Sequence, residues 1–451
     1  MKQEEVLEIL KMGHNVLITG PAGCGKTFLL NKYINYLNKK NIDVAVTAST
    51  GLAATHLDGR TIHSWCGMGL NQTLTDDHIK VLIKKEHLAL RIKYAKVLII
   101  DEISMLNAKR LDLVNKICQI FRSNTEPFGS MQVLLCGDFF QLPPIKRRDE
   151  EDDRFVTESD IWSNMDINIC YIEEQHRQQD QELLKVLDDI RSNSVTNETM
   201  NVLKTRYNKS LGGEIKVTKL YTHNKSVDAE NYFELSKLPG DEVCYKMYSE
   251  GVPHLAKGLK ESCLAPEELR VKKDAVVMFV KNNFNKGYIN GTLGKVIGFD
   301  EDDGYPIVKT IKGDKIIAHP EQWVIEDGGK TIASITQIPL RLAWAITVHK
   351  SQGMTLNCAE IDLSKTFEFG MGYVALSRVR ALRDIKLAGI NDLALKVNTE
   401  VIMLDKRLLS ESGKSLQEYA SLKKKEVKKK QKEFLNNSTT RKESIVDDIP
   451  F

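Results

Sequence analysis

The octapeptide Gly20-Pro21-Ala22-Gly23-Cys24-Gly25-Lys26-Thr27 fits the spacing G-x-x-x-x-G-K-[ST]. Glycines in such a loop let backbone N–H groups curl around phosphate oxygens at the start of a helix. Lys26 can then reach the outer phosphates of a nucleoside triphosphate, and the Thr27 hydroxyl can ligand Mg²⁺. A second metal carboxylate is needed, and "KVLIIDEISML" ends its apolar run in Asp101 and Glu102. Asp101 would hold the Mg²⁺, while Glu102 would position and deprotonate the attacking water. Acidic pairs after strands also serve as helix caps, so this reading leans on the phosphate loop upstream. Gln141, just past another apolar run, can sense a γ-phosphate. Arg177 and Arg378 lie far along the chain, and hydrolysis gains from an arginine brought in from outside the phosphate-loop domain. Each alone is more often a surface ion-pair residue. Two of them on a second domain would make hydrolysis depend on domain closure.

These residues need particular elements to hold them. "NVLIT" is short and β-branched, and "TFLLNKYINYL" has helical apolar spacing, so the loop falls between strand and helix. "KVLIID" and "QVLLC" read as strands buried on both faces of a parallel sheet, whose carboxyl ends are where ligands bind. "IEEQHRQQDQELLKVLDDIRSN" puts Arg177 at the opening of a helix, and "GMGYVALSRVRALRDIKL" puts Arg378 between a helix and a strand. At 451 residues the length suggests two or three domains. No stretch approaches the roughly 18 apolar residues of a membrane span. The opening "MKQEEVLEIL" does not have the form of a secretory signal. The eight cysteines are scattered without a CxxC, which argues against a zinc site or disulfide framework and for a reducing compartment. With 64 basic and 61 acidic residues, a nucleic-acid binder of this composition must use a local groove, not a global field.

"TASTGLAATHLDGRTIHSWCGMG", "DEISMLNAKRLDLVNKI", "CGDFFQLPPI", "EEQHR", "TVHKSQGMTL" and "GYVALSRV" together resemble the PIF-type helicases, relatives of RecD within helicase superfamily one. The likeness runs in family order to about residue 400. It implies an α/β fold of two RecA-like parallel-sheet domains with an ATP cleft between them, and ATP-driven 5′→3′ translocation on single-stranded DNA with duplex unwinding. It places the first domain at 1–160, with a small insert near 54–70, and the second at 161–283 and 339–400. An SH3-like β insert would fill 284–338, leaving a charged, helical then disordered tail at 401–451. Gln3 falls where the family reads adenine, and Gly353 joins Gly20 to Thr27 among the nucleotide-binding positions. Lys26, Thr27, Asp101, Glu102, Gln141, Arg177 and Arg378 match the ATP-handling positions already argued on chemistry.

Single-strand binding combines backbone contacts with base stacking. The hydroxyls of Ser49, Thr50, Thr61 and Ser64, with His63, can donate to phosphates, and Trp65 offers a ring that serves equally well as core packing. Opposite them by resemblance lie Thr347, His349 and Lys350. Between these segments, "YINGTLGKVIGFDEDDGYPIVKTIKGDKIIAHPEQWVIEDGGKTIASITQIPL" alternates β-rich runs with Asn-Gly, Asp-Gly and Gly-Gly turns, as small antiparallel barrels do. The loop "KRRDEEDDR" reads as a solvated connector. Lys423 to Lys432 carries a lysine run with helical spacing, followed by a polar spacer and "IVDDIPF". That ending resembles the acidic tip of bacterial single-stranded-DNA-binding proteins. Asp447, Asp448, Ile449, Pro450 and Phe451 would dock a replication or repair partner, with Phe451 in an apolar pocket. Folding back onto the basic DNA groove and a chance match stay open beside docking. The expectation is therefore a cytoplasmic helicase, acting as a monomer on single-stranded and forked DNA without a membrane, with ATP and Mg²⁺. Nuclear or mitochondrial placement is the alternative address. A recruitment protein with a gating ATPase is the alternative function.

Overall fold

A computed structural model of the chain describes residues 1–438 except 58, 70–72, 145–153, 210, 212–217, 284, 289, 312 and 328–329. The docking tip at 447–451 and nearly all of the charged loop at 146–154 lie outside the described residues.

The apolar runs "NVLIT", "VAVTA", "VLIID" and "QVLLC" have their side chains wanted on both faces, and a parallel sheet covered by helices supplies that. The first sheet is six-stranded and wholly parallel. Its order is Arg60–Thr61, Val44–Ala48, Val97–Asp101, Gln132–Cys136, Asn15–Thr19, Ile167–Tyr171. Register aligns Ile18 with Cys136 and Ala48 with Asp101. The phosphate loop, the Asp101–Glu102 pair, the Asp138–Gln141 turn and Ser49–Thr50 thus emerge along one edge of the sheet.

A second parallel sheet runs Ala345–Thr347, Thr218–Tyr221, Ala359–Leu363, Ile385–Ile390. The α/β class with two parallel sheets is as expected. Between the second sheet's strands in sequence comes antiparallel structure. Leu293–Phe299, Pro306–Thr310 and Lys315–Ile317 form a meander that continues through Val276–Phe279 to Leu340–Leu342. Glu321–Asp327 and Lys330–Gln337 form a hairpin that pairs with Tyr248–Gly251.

The lysine-rich tail is helical: Thr399–Ser421 and Lys424–Ser438 return to the first sheet. The Ser412 hydroxyl accepts from the Tyr171 backbone N–H at 3.0 Å, Gln431 donates to Glu8 at 2.8 Å, and Phe434 lies against Gly13. The lysines at 424, 425, 428 and 429 point to solvent. Among the described residues no helix is long and apolar enough to cross a membrane.

Both lobes meet at Arg191. Its guanidinium donates to Asp138 at 3.1 Å, to the Tyr373 hydroxyl at 3.0 Å, to the Tyr171 hydroxyl at 2.8 Å and to Asp405 at 3.4 Å, and lies over the Phe140 ring. Tyr373 donates in turn to Asp138 at 3.2 Å and accepts from the Ala22 N–H at 2.8 Å. Burial opposes ionisation of Asp138, but Arg191 and then Lys26 beside it hold its carboxyl below the usual range. Removing one partner from such a network leaves a buried carboxylate uncompensated. Arg191→Leu is therefore expected to lower stability by about 3–5 kcal/mol, read as a fall in the thermal unfolding midpoint; an unmoved midpoint would contradict the assignment.

Candidate functional site

The phosphate loop owes its shape to its glycines. Gly20 and Gly25 have φ of 143° and 85°, and a Cβ would run into the Ile172 carbonyl at the first and the Gln3 amide at the second. The helix Lys26–Lys39 starts directly after Gly25, so its unpaired N–H groups face the loop. Lys26 folds back to donate to the carbonyls of Gly20 at 2.8 Å and Pro21 at 3.1 Å. Burial opposes its charge, yet Cys24, Asp138 and Cys136 hold the ammonium above the ordinary lysine range. Thr27 next to it is exposed. Gln3 donates from its side chain to the Cys24 carbonyl at 3.1 Å, which seats it against the loop.

Asp101 ends its strand buried, its carboxylate accepting from the Glu102 N–H at 2.8 Å. Burial raises its affinity for a proton. Glu102 adopts φ 51°, ψ 46°, a left-handed conformation rare for residues other than glycine. Burial, and then the Asp101 charge, push its carboxyl up to about 7. Gln141 is buried and donates to Asp138 at 3.2 Å, while its carbonyl oxygen has no partner among the described residues.

Two guanidiniums complete the cleft. Arg177 donates to the Ser377 carbonyl at 3.1 Å and packs against Gly23. Arg378 is 1% exposed and donates to the Val374 and Ser351 carbonyls at 2.8 and 3.3 Å and to the Ser377 hydroxyl at 2.7 Å. Burial, and then the like charge of Arg177, pull Arg378 down to about 9, with Glu102 acting the other way. Arginine stays charged at neutral pH, so the displacement marks a buried cation beside a second one. The arrangement suits a polyphosphate bridging Lys26 and the arginines.

The expected DNA residues divide by placement. Thr50 and Thr61 cap short helices, their oxygens accepting from Ala53 and Ser64 N–H groups, which leaves each O–H to donate outward. His63 is half-buried at the same rim. Trp65 is 5% exposed and packs in the first lobe's core, so its ring is not open to a base. On the second lobe Thr347 is buried and accepts from the Lys350 N–H at 3.2 Å. Burial, and then Arg341, lower the Lys350 pKa, so two cations share this spot. His349 stacks on Phe367, which also meets His223 at 4.9 Å between ring centroids. Phe367 is 52% exposed, a ring face whose only sequence signal is an aromatic in a loop without periodicity. Gln352, which carries no local signal of a role, donates to the Glu102 carboxylate at 2.9 Å. Gly353 follows it with φ 76°. The two lobes thus bring Lys26, Glu102, Gln141, Arg177 and Arg378 to one cleft.

Comparison with known proteins agrees with this geometry. Residues 2–203 match the family model described as PIF1-like helicase, and residues 254–299 match DNA helicase Pif1, 2B domain. The chain is 42% identical over 494 residues to the ATP-dependent DNA helicase Pif1 of Psychrobacter sp. (strain PRwf-1), covering 96% of this chain and 75% of that protein. It spans 62% to 67% of the length of the eukaryotic relatives it matches. The crystal structure of Pif1 helicase from Candida albicans superposes with a TM-score of 0.79 at 35% identity, covering 90% of this chain and 98% of that one. Pif1 helicase from Bacteroides in complex with ADP-AlF3 and ssDNA gives a TM-score of 0.67 at 28% identity, covering 91% and 97%.

Alanine at Arg378 is expected to slow ATP turnover by about a thousand-fold, the worth of an arginine acting on the transferred phosphoryl group. ATP affinity should change far less, and equal loss in both would contradict a role confined to the transition state.

Proposed function

The chain belongs to the PIF1-like helicase family, and on that premise we propose that it is an ATP-dependent DNA helicase moving 5′→3′ on single-stranded DNA. The observation that carries this reading is the cleft itself, where Arg378 of the second lobe and Arg177, which bonds to Ser377 of that lobe, stand beside the phosphate loop of the first. In the proposed reaction the γ-phosphate sits between Lys26 and the two arginines, with Gln141 aimed toward it. A water attacks the γ-phosphorus and passes its proton to Glu102, while the bond to the bridging oxygen breaks and ADP leaves with the electron pair. Arg177 and Arg378 offset the charge spread over the transferred group. Gln3 lies where an adenine would extend from the loop, and Gly353 where the second lobe nears the phosphates.

Mg²⁺ fits the donors present. Asp101 is a buried carboxylate whose charge burial disfavours, and a hard cation would relieve that. Asp101 and the Thr27 hydroxyl would hold it, with phosphate oxygens and water completing the shell. When bound, the ion neutralises phosphate charge.

Single-stranded and forked DNA would cross both lobes, on Thr50, Thr61 and His63 of one and His349 and Lys350 of the other, with Phe367 as a stacking face. Hydrolysis and release would open and close the cleft and so step the lobes along the strand. The reading extends to a monomer in the cytoplasm whose tip, Asp447 to Phe451, docks a replication or repair protein; its support is the sequence pattern alone.

Duplexes with either a 5′ or a 3′ single-stranded tail test the claim. Separation of the 5′-tailed substrate only, abolished together with hydrolysis by Lys26→Ala, is the expected outcome. Hydrolysis without strand separation would contradict it and leave a translocase that clears or recruits proteins.

A further inference from the structure

One short turn holds two parts of the chemistry at once. Gln352, 5% exposed, donates from Nε2 to Glu102 Oε2 at 2.9 Å. One residue earlier, the Ser351 carbonyl accepts from Arg378 Nη1 at 3.3 Å. The same turn, His349–Ser351, opens on His349 and Lys350, which face the DNA track in the reading above. It hangs directly from the end of the second sheet's strand Ala345–Thr347, with the Lys350 N–H on the Thr347 hydroxyl.

Glu102 is also tied from the opposite side. The Ser49 hydroxyl donates to the Glu102 carbonyl at 2.7 Å, and the Ser49 N–H donates to the Asp101 carbonyl at 3.0 Å. Ser49 immediately precedes Thr50, the first lobe's DNA-facing cap. With its backbone pinned at φ 51°, Glu102 has only its side chain free to respond, and that side chain is engaged by Gln352. An amide that donates to a carboxylate occupies one of its lone pairs and fixes where that oxygen points. A hydrogen bond of this kind is lost once the partners separate beyond about 3.5 Å.

We propose that Gln352 is a positioning residue that restrains Glu102 in the DNA-free chain, and that single-stranded DNA drawn onto His349 and Lys350 shifts the turn and releases the carboxylate to act on water. Because Ser351 moves with Gln352, the same displacement re-aims Arg378. ATP hydrolysis is thereby kept low until a strand occupies the track, without any separate regulatory domain. The proposal rests on the assignment of Glu102 as the base and of His349 and Lys350 as DNA contacts.

The test is ATP turnover by the full chain, with Mg²⁺, in the absence and presence of a saturating oligothymidylate. Gln352→Ala, and Gln352→Met as a variant that keeps volume but removes the donor, are expected to raise the DNA-free kcat about ten-fold, the effect of losing one hydrogen bond to a charged group. The KM for ATP should hold, and the stimulation by DNA should shrink accordingly. Damage to folding lowers a rate and cannot produce this gain. A DNA-free kcat at or below that of the unmodified chain in both variants would overturn the proposal. Glu102→Gln in parallel keeps the two levels apart: full DNA-stimulated turnover in that variant would show that the base assignment, not the restraint, is at fault.

Discussion

A buried positive charge must be met by negative charge, and in this chain the need is concentrated where two lobes touch. Arg177 and Arg378 sit side by side, one bonded to a carbonyl and the other to carbonyls and a hydroxyl, with the Lys26 ammonium held on carbonyls of the phosphate loop. Neutral acceptors satisfy their N–H groups without cancelling their charge. Glu102 supplies part of the compensation and Asp138 is committed to Arg191. A polyphosphate brings the remainder. Everything else in the fold serves to present these groups to one another where the two lobes meet.

The parallel sheets do the presenting. In the first, register lines up the ends of the strands carrying Thr19, Asp101 and Cys136, so three functional loops leave one edge within reach of a single ligand. In the second, Thr347 ends a strand and delivers the His349–Ser351 turn to the same region. Between them the Arg191 network connects the phosphate loop, through Ala22 and Tyr373, to the returning tail helix at Asp405. Such a polar network specifies one docking geometry, because any slip leaves buried groups unpaired. Nearer the DNA track, Gln352 joins Glu102 through a hydrogen bond of 2.9 Å. A stiff seam beside a weaker one is what hinge closure about a ligand requires.

The phosphate loop and its strands were legible because each residue type there answers to a local rule. Gly20 and Gly25 need left-handed or crowded backbone, Lys26 must follow the last glycine, and Asp101 must end a buried strand. Arg177 and Arg378 were legible only as candidates, since nothing local to either shows the other; the fold supplies their adjacency. Trp65 was ambiguous for a plain reason: a large aromatic near a helix start suits a core as well as a base, and burial resolved it toward the core. Gln352 could not be assigned from sequence at all. Its partner lies 250 residues away and is joined through no periodicity or spacing. Arg191, at the end of its helix, carries no local signal of its role either, although it holds the seam together.

Chemistry in the cleft is expected to be governed by what lies on the track. Steady-state ATP hydrolysis by the intact chain, measured with Mg²⁺ as single-stranded DNA is titrated in, tests that directly. The rate is expected to rise by at least about ten-fold and to saturate with the occupancy of the strand. An identical rate with and without DNA, under conditions where the strand is shown to be bound, would contradict it.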